Sequence, residues 1–285
     1  MRLARFNEDR LGLVDGDALV DVTAALDALP IDHWPLMPGD PLIRHLGLLQ
    51  RPIRAAAEAG RRLPLADVSL HSPVATPTKI LAAPVNYKKH LDEARADAGI
   101  HHGAQIKTID DLGLFLKNST ALVGPDDGVT LAWTDRRIDH EVELAVVIGK
   151  EGYRVARDEA MEMVAAYAIG LDMTVRGTED RSFRKSFDSF AVLGPWLVTA
   201  DEIPDPNNLD FWIKVNGKER QKSNTRLLIW DIPKLIEYAT SAYTLYPGDI
   251  IMSGTPEGVA PVAPGDVMEC WIEGIGGMTV PVREG

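Results

Sequence analysis

The run Asp139-His140-Glu141-Val142-Glu143-Leu144-Ala145-Val146-Val147-Ile148 is the most informative segment of the chain, because it predicts a β-strand that carries charge in an apolar context. Side chains two residues apart on a strand point to the same face, so Glu141 and Glu143 share a face. Adjacent carboxylates repel each other and need a cation, a proton or solvent. The spacing alone leaves two alternatives open, a cation site and a solvated strand face.

A second candidate ligand ends another apolar run. Asp172 follows Ala168-Ile169-Gly170-Leu171, a position in which an aspartate can cap a helix, form a turn or bind a metal. Together with Glu141 and Glu143, it would complete a set of three carboxylates. An all-oxygen set of this kind suits Mg²⁺, Mn²⁺ or Ca²⁺ better than Zn²⁺.

Short strands and tight turns surround these segments. Asn216-Gly217 between two alternating stretches predicts a hairpin, and Pro247-Gly248-Asp249 and Pro264-Gly265-Asp266 predict turns that precede late strands. The segment Asp158–Tyr167 predicts a helix, and Asn86 is predicted to cap another one. The pattern as a whole predicts a β-dominated α+β fold and excludes an alternating βαβ arrangement.

A proline-rich stretch predicts a domain boundary. Pro73 and Pro77 bracket a short Ser/Thr/Pro segment, and a predicted helix over Pro41–Gly60 precedes it. We therefore predict a small N-terminal α+β domain over residues 1–72 and a larger domain over residues 73–285.

The composition limits the classes of partner. The formal net charge of the 285 residues is −12, and an acidic surface repels phosphate backbones and anionic membranes, so neither nucleic acid nor a membrane is an expected partner. The single cysteine, Cys270, excludes an intrachain disulfide and is predicted to be a core residue. No secretory signal and no long apolar span is visible, so we expect a cytoplasmic protein.

Three further motifs are candidates for chemistry. His90 and Glu93 are neighbours on a predicted helix, where the carboxylate could orient the imidazole as a general base. The spacing alone favours the alternative, a solvated helix face. Lys185 could pair with a carboxylate or an enolate, or be a loop charge. Ser253–Val259 could place a hydroxyl and backbone N–H groups near an anion, or be a plain turn.

The order of these motifs resembles that of the fumarylacetoacetate hydrolase (FAH) superfamily, in particular its bacterial acylpyruvase and 2-hydroxyhepta-2,4-diene-1,7-dioate isomerase branch. The resemblance covers about Lys79 to Val282. Each motif is weak alone, and their common order makes the resemblance specific. The motifs are Asn86-Tyr87-x-x-His90-x-x-Glu93, Phe115-Leu116-Lys117, Glu141-x-Glu143-Leu144, Leu171-Asp172-Met173-Thr174, Lys185-Ser186-Phe187-Asp188 and Gly254-Thr255-Pro256-x-Gly258-Val259.

The resemblance implies a fold, a partner and a metal. Family members have a mixed β-sandwich or roll as their catalytic core and usually form homodimers. The implied metal is Mg²⁺ or Mn²⁺, with Ca²⁺ as a substitute in vitro. Its ligands match Glu141, Glu143 and Asp172.

The resemblance also implies roles for other side chains. The pair matching His90 and Glu93 lies on a mobile lid and activates water, and the lysine matching Lys185 lies near the substrate's enolate or carboxylate. The expected substrate-binding residues are Tyr87, Lys117, Glu179 and Thr255.

The implied activity is metal-dependent hydrolysis of a carbon–carbon bond in an acylpyruvate-like 2,4-diketo acid, through a metal-bound enolate. Because the metal fixes the intermediate and not the reaction, two alternatives use the same site: an oxaloacetate-type keto-acid decarboxylase and a 2-hydroxy-diene-dioate isomerase. A third alternative, of a different class, is a non-catalytic ligand-binding homologue.

Two departures from the family pattern concern the substrate. Pro84-Val85 stands where relatives often carry glycine with a nearby arginine, so a guanidinium beside the substrate carboxylate is expected to be missing. Glu179 stands where many relatives carry a polar amide, which is expected to alter the preference for substrate charge.

Overall fold

The computed structural model describes all of residues 1–285 and confirms the β-dominated α+β class. Twenty strands form three sheets: β1 (Arg2–Phe6), β2 (Arg10–Asp15), β3 (Ala18–Asp21), β4 (Arg62–Pro64), β5 (Leu70–His71), β6 (Ile80–Ala82), β7 (Phe115–Lys117), β8 (Leu122–Val123), β9 (Val129–Leu131), β10 (Ile138–His140), β11 (Val142–Ile148), β12 (Val164–Asp172), β13 (Thr174–Val175), β14 (Ala191–Thr199), β15 (Asp210–Val215), β16 (Lys218–Asn224), β17 (Ile250–Met252), β18 (Ala260–Pro261), β19 (Val267–Ile272) and β20 (Gly276–Glu284).

The helices are short. Seven are α-helical: α1 (Pro41–Arg44), α2 (Leu46–Ala59), α3 (Lys88–Ala96), α4 (Ala98–His101), α5 (Ile109–Leu112), α6 (Arg181–Arg184) and α7 (Ile232–Ala242). The single helix predicted over Pro41–Gly60 is therefore divided at His45. None of the helices combines the length and the apolarity that a bilayer span requires.

The largest sheet contains strands from Arg2 to Met252, while the C-terminal strands β19 and β20 belong to the five-stranded sheet. The strand order of the largest sheet is β4-β3-β2-β1-β14-β12-β11-β17-β6-β7, with β5 on β1 and β8 on β14. Strand β1 pairs antiparallel with β14, where Leu3 lies opposite Leu197. Residues 1–72 thus share a sheet and a core with the rest of the protein, and their independence as a domain stays a prediction that the isolated 73–285 fragment would test.

The two central strands of this sheet, β11 and β12, are buried along almost their whole length. Strand β12 pairs with β11 on one side and with β14 on the other. The helix predicted over Asp158–Tyr167 is wrong, because only Ala160–Met163 forms a 3-10 turn before β12 begins at Val164. Pairing on both sides and burial of the apolar run outweigh its helical propensity.

A parallel pair of strands brings two distant loops together. Strands β6 and β17 pair in parallel, with Ile80 opposite Ile250, so the loops that follow them leave the sheet at the same edge. One loop leads into α3, and the other contains Gly254 and Thr255. The prediction that Asn86 caps α3 is wrong: its amide donates to the carbonyls of Trp230 (2.9 Å) and Ser253 (2.8 Å), which ties the two loops together.

Asp249 fixes the beginning of the same strand pair. Its fully buried carboxylate accepts hydrogen bonds from the backbone N–H groups of Thr78 (3.0 Å), Lys79 (3.0 Å) and Tyr246 (2.8 Å). The Lys79 ammonium lies 2.6 Å from it. Charge-assisted hydrogen bonds of this kind are about twice as strong as neutral ones, so they stabilise this turn and the strand pair that begins there.

We expect Asp249→Asn to lower the free energy of unfolding by about 3 kcal/mol, because an amide cannot accept all of these bonds and leaves buried donors unpaired. Asp266 is a matched control, since it occupies the same position of the second Pro-Gly-Asp turn but is only half-buried. Asp266→Asn should cost less than about 1 kcal/mol. Urea unfolding measures both values, and equal losses would contradict the assignment.

Candidate active site

Three carboxylates lie together at the centre of the large sheet. Glu141 lies in the gap between β10 and β11, Glu143 lies in β11, and Asp172 ends β12. Their exposed fractions are 4%, 1% and 2%, and one oxygen from each lies within 4.8 Å of the others. A solvated strand face is therefore excluded.

Two lysines contact these carboxylates. Lys185 donates from Nζ to Glu141 (2.8 Å), Asp172 (2.7 Å) and the Thr174 hydroxyl (2.7 Å), which uses all three of its N–H groups. Lys117 donates to the other oxygen of Asp172 at 2.6 Å. Burial lowers the pKa of Lys117, while the charge of Asp172 opposes this shift. Lys117 holds Asp172 in place and is not among the residues that line the cavity described below, and its predicted role in substrate binding stays a prediction.

An arginine fixes the outer oxygen of Glu141. Arg176 donates to Glu141 at 2.8 Å and to the buried Asp139 at 2.8 Å. Burial opposes ionisation of Glu141, yet Lys185 and Arg176 hold its pKa far below the ordinary value for a glutamate. Glu141 is thus ionised and held by charged partners on both sides.

Glu143 is the carboxylate without a cationic partner. Burial raises its pKa well above the ordinary value, and the charges of Asp172 and Glu141 raise it further. Its one donor is the backbone N–H of Gly254, at 2.6 Å. Gly254 has a φ of +103°, and a Cβ there would lie 2.6 Å from the Cβ of Asn86, so only glycine fits this approach.

The donor set fits a divalent cation. Lys117 and Lys185 pair with Asp172, and Lys185 and Arg176 pair with Glu141, whereas no cationic side chain contacts Glu143. All the candidate ligand atoms are carboxylate oxygens, which Mg²⁺ and Mn²⁺ prefer. We conclude that the cluster could hold one such ion, with Glu143 the ligand that gains most from it.

A histidine–glutamate pair faces the same region. Nδ1 of His90 lies 3.0 Å from Glu93, whose other oxygen accepts the Gly258 N–H at 2.9 Å. Only 5% of His90 is exposed, so a solvated helix face is excluded here too. A carboxylate only accepts hydrogen bonds, so Nδ1 carries the proton and Nε2 is left as an acceptor.

These groups line one small cavity of about 60 Å³. A wider depression of about 700 Å³ beside Trp212 and Trp271 lacks a comparable group of metal ligands. The expectation that a guanidinium is missing from the site is wrong, because three arginines replace the one expected beside Val85. The charged or titratable side chains that line the small cavity are His90, Glu141, Glu143, Arg176, Arg181, Arg184 and Lys185.

The predicted substrate-binding residues occupy different places. Thr255 lines the cavity, and its hydroxyl donates to the Val142 carbonyl at 2.9 Å. Tyr87 is 1% exposed and belongs to the main core, outside the lining. Glu179 also lies outside it, because Arg136 binds its carboxylate at 2.6 and 2.9 Å, so it does not set the charge of the cavity.

Sequence reasoning missed four residues of the site. Arg181 and Arg184 precede Lys185, but the motif that predicts a role for Lys185 begins at that lysine, and no motif includes Arg176. Gln221 carried no signal. Its amide donates to the Thr255 hydroxyl at 2.8 Å and so positions that side chain.

We expect the protein to bind one Mn²⁺ per chain and Glu143→Gln to weaken this affinity by at least about 100-fold, since a charged ligand is lost. The same variant should melt at the same or a higher temperature than the wild type when both are metal-free, because burial, Asp172 and Glu141 already disfavour the charged form of Glu143. Calorimetric titration and thermal melts measure the two effects. The exposed Glu219→Gln is the control, and equal Mn²⁺ affinity in all three proteins would contradict the site.

Comparison with known proteins agrees with this geometry. Residues 79–283 match the family model of the fumarylacetoacetate (FAA) hydrolase C-terminal domain. A maleylpyruvate hydrolase of Aquipseudomonas alcaligenes is 55% identical over 285 residues, which covers 99% of each chain. The mitochondrial oxaloacetate tautomerase Fahd2a of Rattus norvegicus is 35% identical over 78% of this chain and 72% of its own.

A solved structure covers the whole chain as well. The maleylpyruvate hydrolase of Sphingobium sp. SYK-6, in complex with manganese(II) and pyruvate, superimposes with a TM-score of 0.84 and 46% identity over 100% of both chains. These similarities confirm the resemblance found in the motifs, including the kind of metal expected. The chain belongs to the fumarylacetoacetate hydrolase family.

Proposed function

We propose that the protein is a divalent-metal-dependent hydrolase that cleaves a carbon–carbon bond in an acylpyruvate-like 2,4-diketo acid, with maleylpyruvate as the first candidate substrate. The observation that carries the proposal is that His90, which Glu93 contacts through Nδ1, lines the same small cavity as Glu141, Glu143 and Lys185. An activated water and a site for negative charge are what this hydrolysis requires. Two relatives named maleylpyruvate hydrolases support the choice of substrate.

His90 is the proposed general base. Glu93 holds the imidazole with its proton on Nδ1, so Nε2 can take a proton from a water in the cavity. The water oxygen bonds to the acyl carbonyl carbon, and the bond between this carbon and the pyruvate methylene breaks. The acyl part leaves as a carboxylic acid, and the three-carbon part takes up a proton and leaves as pyruvate.

Negative charge develops on the three-carbon part as the bond breaks. The residues that would hold the cation are Glu141, Glu143 and Asp172, and a bound cation supplies Lewis acidity at the keto-acid end of the substrate. Lys185 is the protein side chain that supplies positive charge near the three-carbon part. Its Nζ lies between Glu141 and Asp172, and the residue lines the cavity.

The decarboxylase and isomerase alternatives use the same carboxylates but have less need of an activated water. The buried histidine–glutamate pair therefore favours hydrolysis. Because relatives include proteins named oxaloacetate tautomerases, oxaloacetate belongs in the assay. Conversion of oxaloacetate without cleavage of any acylpyruvate would replace hydrolysis by the alternative.

We also propose that the protein works as a homodimer, as the family resemblance implies, and that it is cytoplasmic, as the sequence features predict. Light scattering of the eluting protein measures the mass directly. A mass near 31.2 kDa, that of one chain, would contradict the dimer.

We expect His90→Ala to lower kcat for maleylpyruvate about 100- to 10,000-fold, because the general base is lost. The affinity for Mn²⁺ should stay the same, since His90 is not among the candidate ligands. Steady-state kinetics with Mn²⁺ or Mg²⁺ provide the measurement, and His33→Ala, at an exposed histidine, is the control. A variant that retains full activity would show that His90 is not the base.

A further inference from the structure

One short helix carries several of the cationic groups of the cavity. Helix α6 begins after Asp180, whose side chain accepts the Ser182 N–H at 2.8 Å. Arg181 and Arg184 are three residues apart on this single turn and lie on the same side of it, and both line the cavity. Lys185 follows directly and reaches the carboxylates. The helix thus presents two guanidinium groups beside the group that contacts the cluster.

Arg181 has no acidic partner. No carboxylate lies within 4.0 Å of its guanidinium, and the protein offers it no hydrogen-bond acceptor. Its nearest recorded partner is the ring of Phe115, whose centroid is 5.6 Å away. Burial lowers the pKa of Arg181, while Glu141 and Asp172 act on it from beyond contact distance. The five N–H donors of this partly buried guanidinium are thus left for water or for a bound anion.

Arg184 is anchored but is not neutralised. It donates from Nε to the Glu179 carbonyl at 3.3 Å and from Nη1 to the Val175 carbonyl at 3.2 Å. Both acceptors are uncharged, so its position is fixed while its charge has no counterion. Arg176 differs, because Asp139 and Glu141 use its charge. Two of the three guanidinium groups in the cavity therefore lack a carboxylate partner.

The two ends of the cavity differ in what they can bind. The keto-acid end of a substrate has Lys185 and the carboxylate cluster with its cation. Arg181 lines the cavity without an ion pair to that cluster, so its charge is available to another part of a substrate. The rest of the wall is apolar, which suits a hydrocarbon chain between two charged ends. The apolar lining residues are Ala83, Pro84, Val85, Ala94, Ile100, Ile106 and Phe115.

We propose that Arg181 and Arg184 bind a second carboxylate at the far end of the acyl chain, so that the protein selects acylpyruvates that are dicarboxylic acids. This inference rests on the proposed function, whose reaction it leaves unchanged. Arginine suits this task because its planar fork can bind a carboxylate through two parallel hydrogen bonds.

The test compares two substrates that share the pyruvate part. Maleylpyruvate carries a terminal carboxylate, and acetylpyruvate ends in a methyl group. We expect Arg181→Met and Arg184→Met each to lower kcat/KM for maleylpyruvate about 10- to 100-fold, mainly through KM, with less than about a threefold change for acetylpyruvate. Arg181→Lys should recover part of the loss, since it keeps the charge but not the fork.

Arg157→Met is the control, because Arg157 forms a surface ion pair with Asp231 outside the cavity. Unchanged Mn²⁺ binding in the arginine variants shows that the carboxylate cluster is intact. An equal loss on both substrates would overturn the proposal, since it would place the arginines at the keto-acid end. No loss on either substrate would overturn it as well.

A binding measurement separates this inference from the proposed reaction. Calorimetric titration with maleate, a dicarboxylate that needs no turnover, should detect binding to the Mn²⁺-loaded wild type and at least a tenfold weaker binding to Arg181→Met. Equal affinity in the two proteins contradicts the carboxylate site. A wild type that cleaves neither acylpyruvate contradicts the proposed function alone, and the maleate result still decides the role of Arg181.

Discussion

The mutual repulsion of three buried carboxylates governs the architecture around them. Like charges a few ångströms apart in a medium of low dielectric constant interact strongly, so Glu141, Glu143 and Asp172 require charged partners or backbone donors on every side. The fold supplies these from separate parts of the chain, among them Lys117 beside β7 and Lys185 after α6. Within the cluster Glu143 has no cationic partner, and a bound divalent cation would supply one.

The cations around the site do two kinds of work. The ammonium groups of Lys117 and Lys185 donate hydrogen bonds to carboxylates of the protein, and these bonds hold the carboxylate cluster together. The arginines of α6 present planar forks whose charges remain without counterions. This contrast follows from side-chain chemistry. An ammonium is a compact charge, whereas a planar guanidinium can form two parallel hydrogen bonds with one carboxylate. The two lysines therefore stabilise the carboxylate cluster, whereas the two arginines of α6 keep a charge that a ligand can use.

Local patterns predicted the hairpin at Asn216-Gly217 and the proximity of Glu141 to Glu143, because turn chemistry and strand alternation are properties of neighbouring residues. Burial was not predictable in this way, since it depends on strands that pair from far along the chain. The same cause explains the error at Asp158–Tyr167, where two neighbouring strands outweigh helical propensity. The same cause explains why the surroundings of Glu179 were not predicted. Its carboxylate is bound by Arg136, and no sequence motif connects these two residues.

The parallel pairing of β6 with β17 joins segments that lie far apart in the sequence, and both loops of the site depend on it. Closing the long loop between the two strands costs conformational entropy before their contacts contribute favourable free energy, so pairings of this kind form slowly. A chain emerging from the ribosome exposes His90 long before Thr255 has been synthesised. The hydrogen bond from the Gly254 N–H to Glu143 therefore cannot form until nearly the whole polypeptide has left the ribosome. A chain that ends just upstream of β17 contains the three carboxylates and both lysines but lacks Gly254 and Thr255.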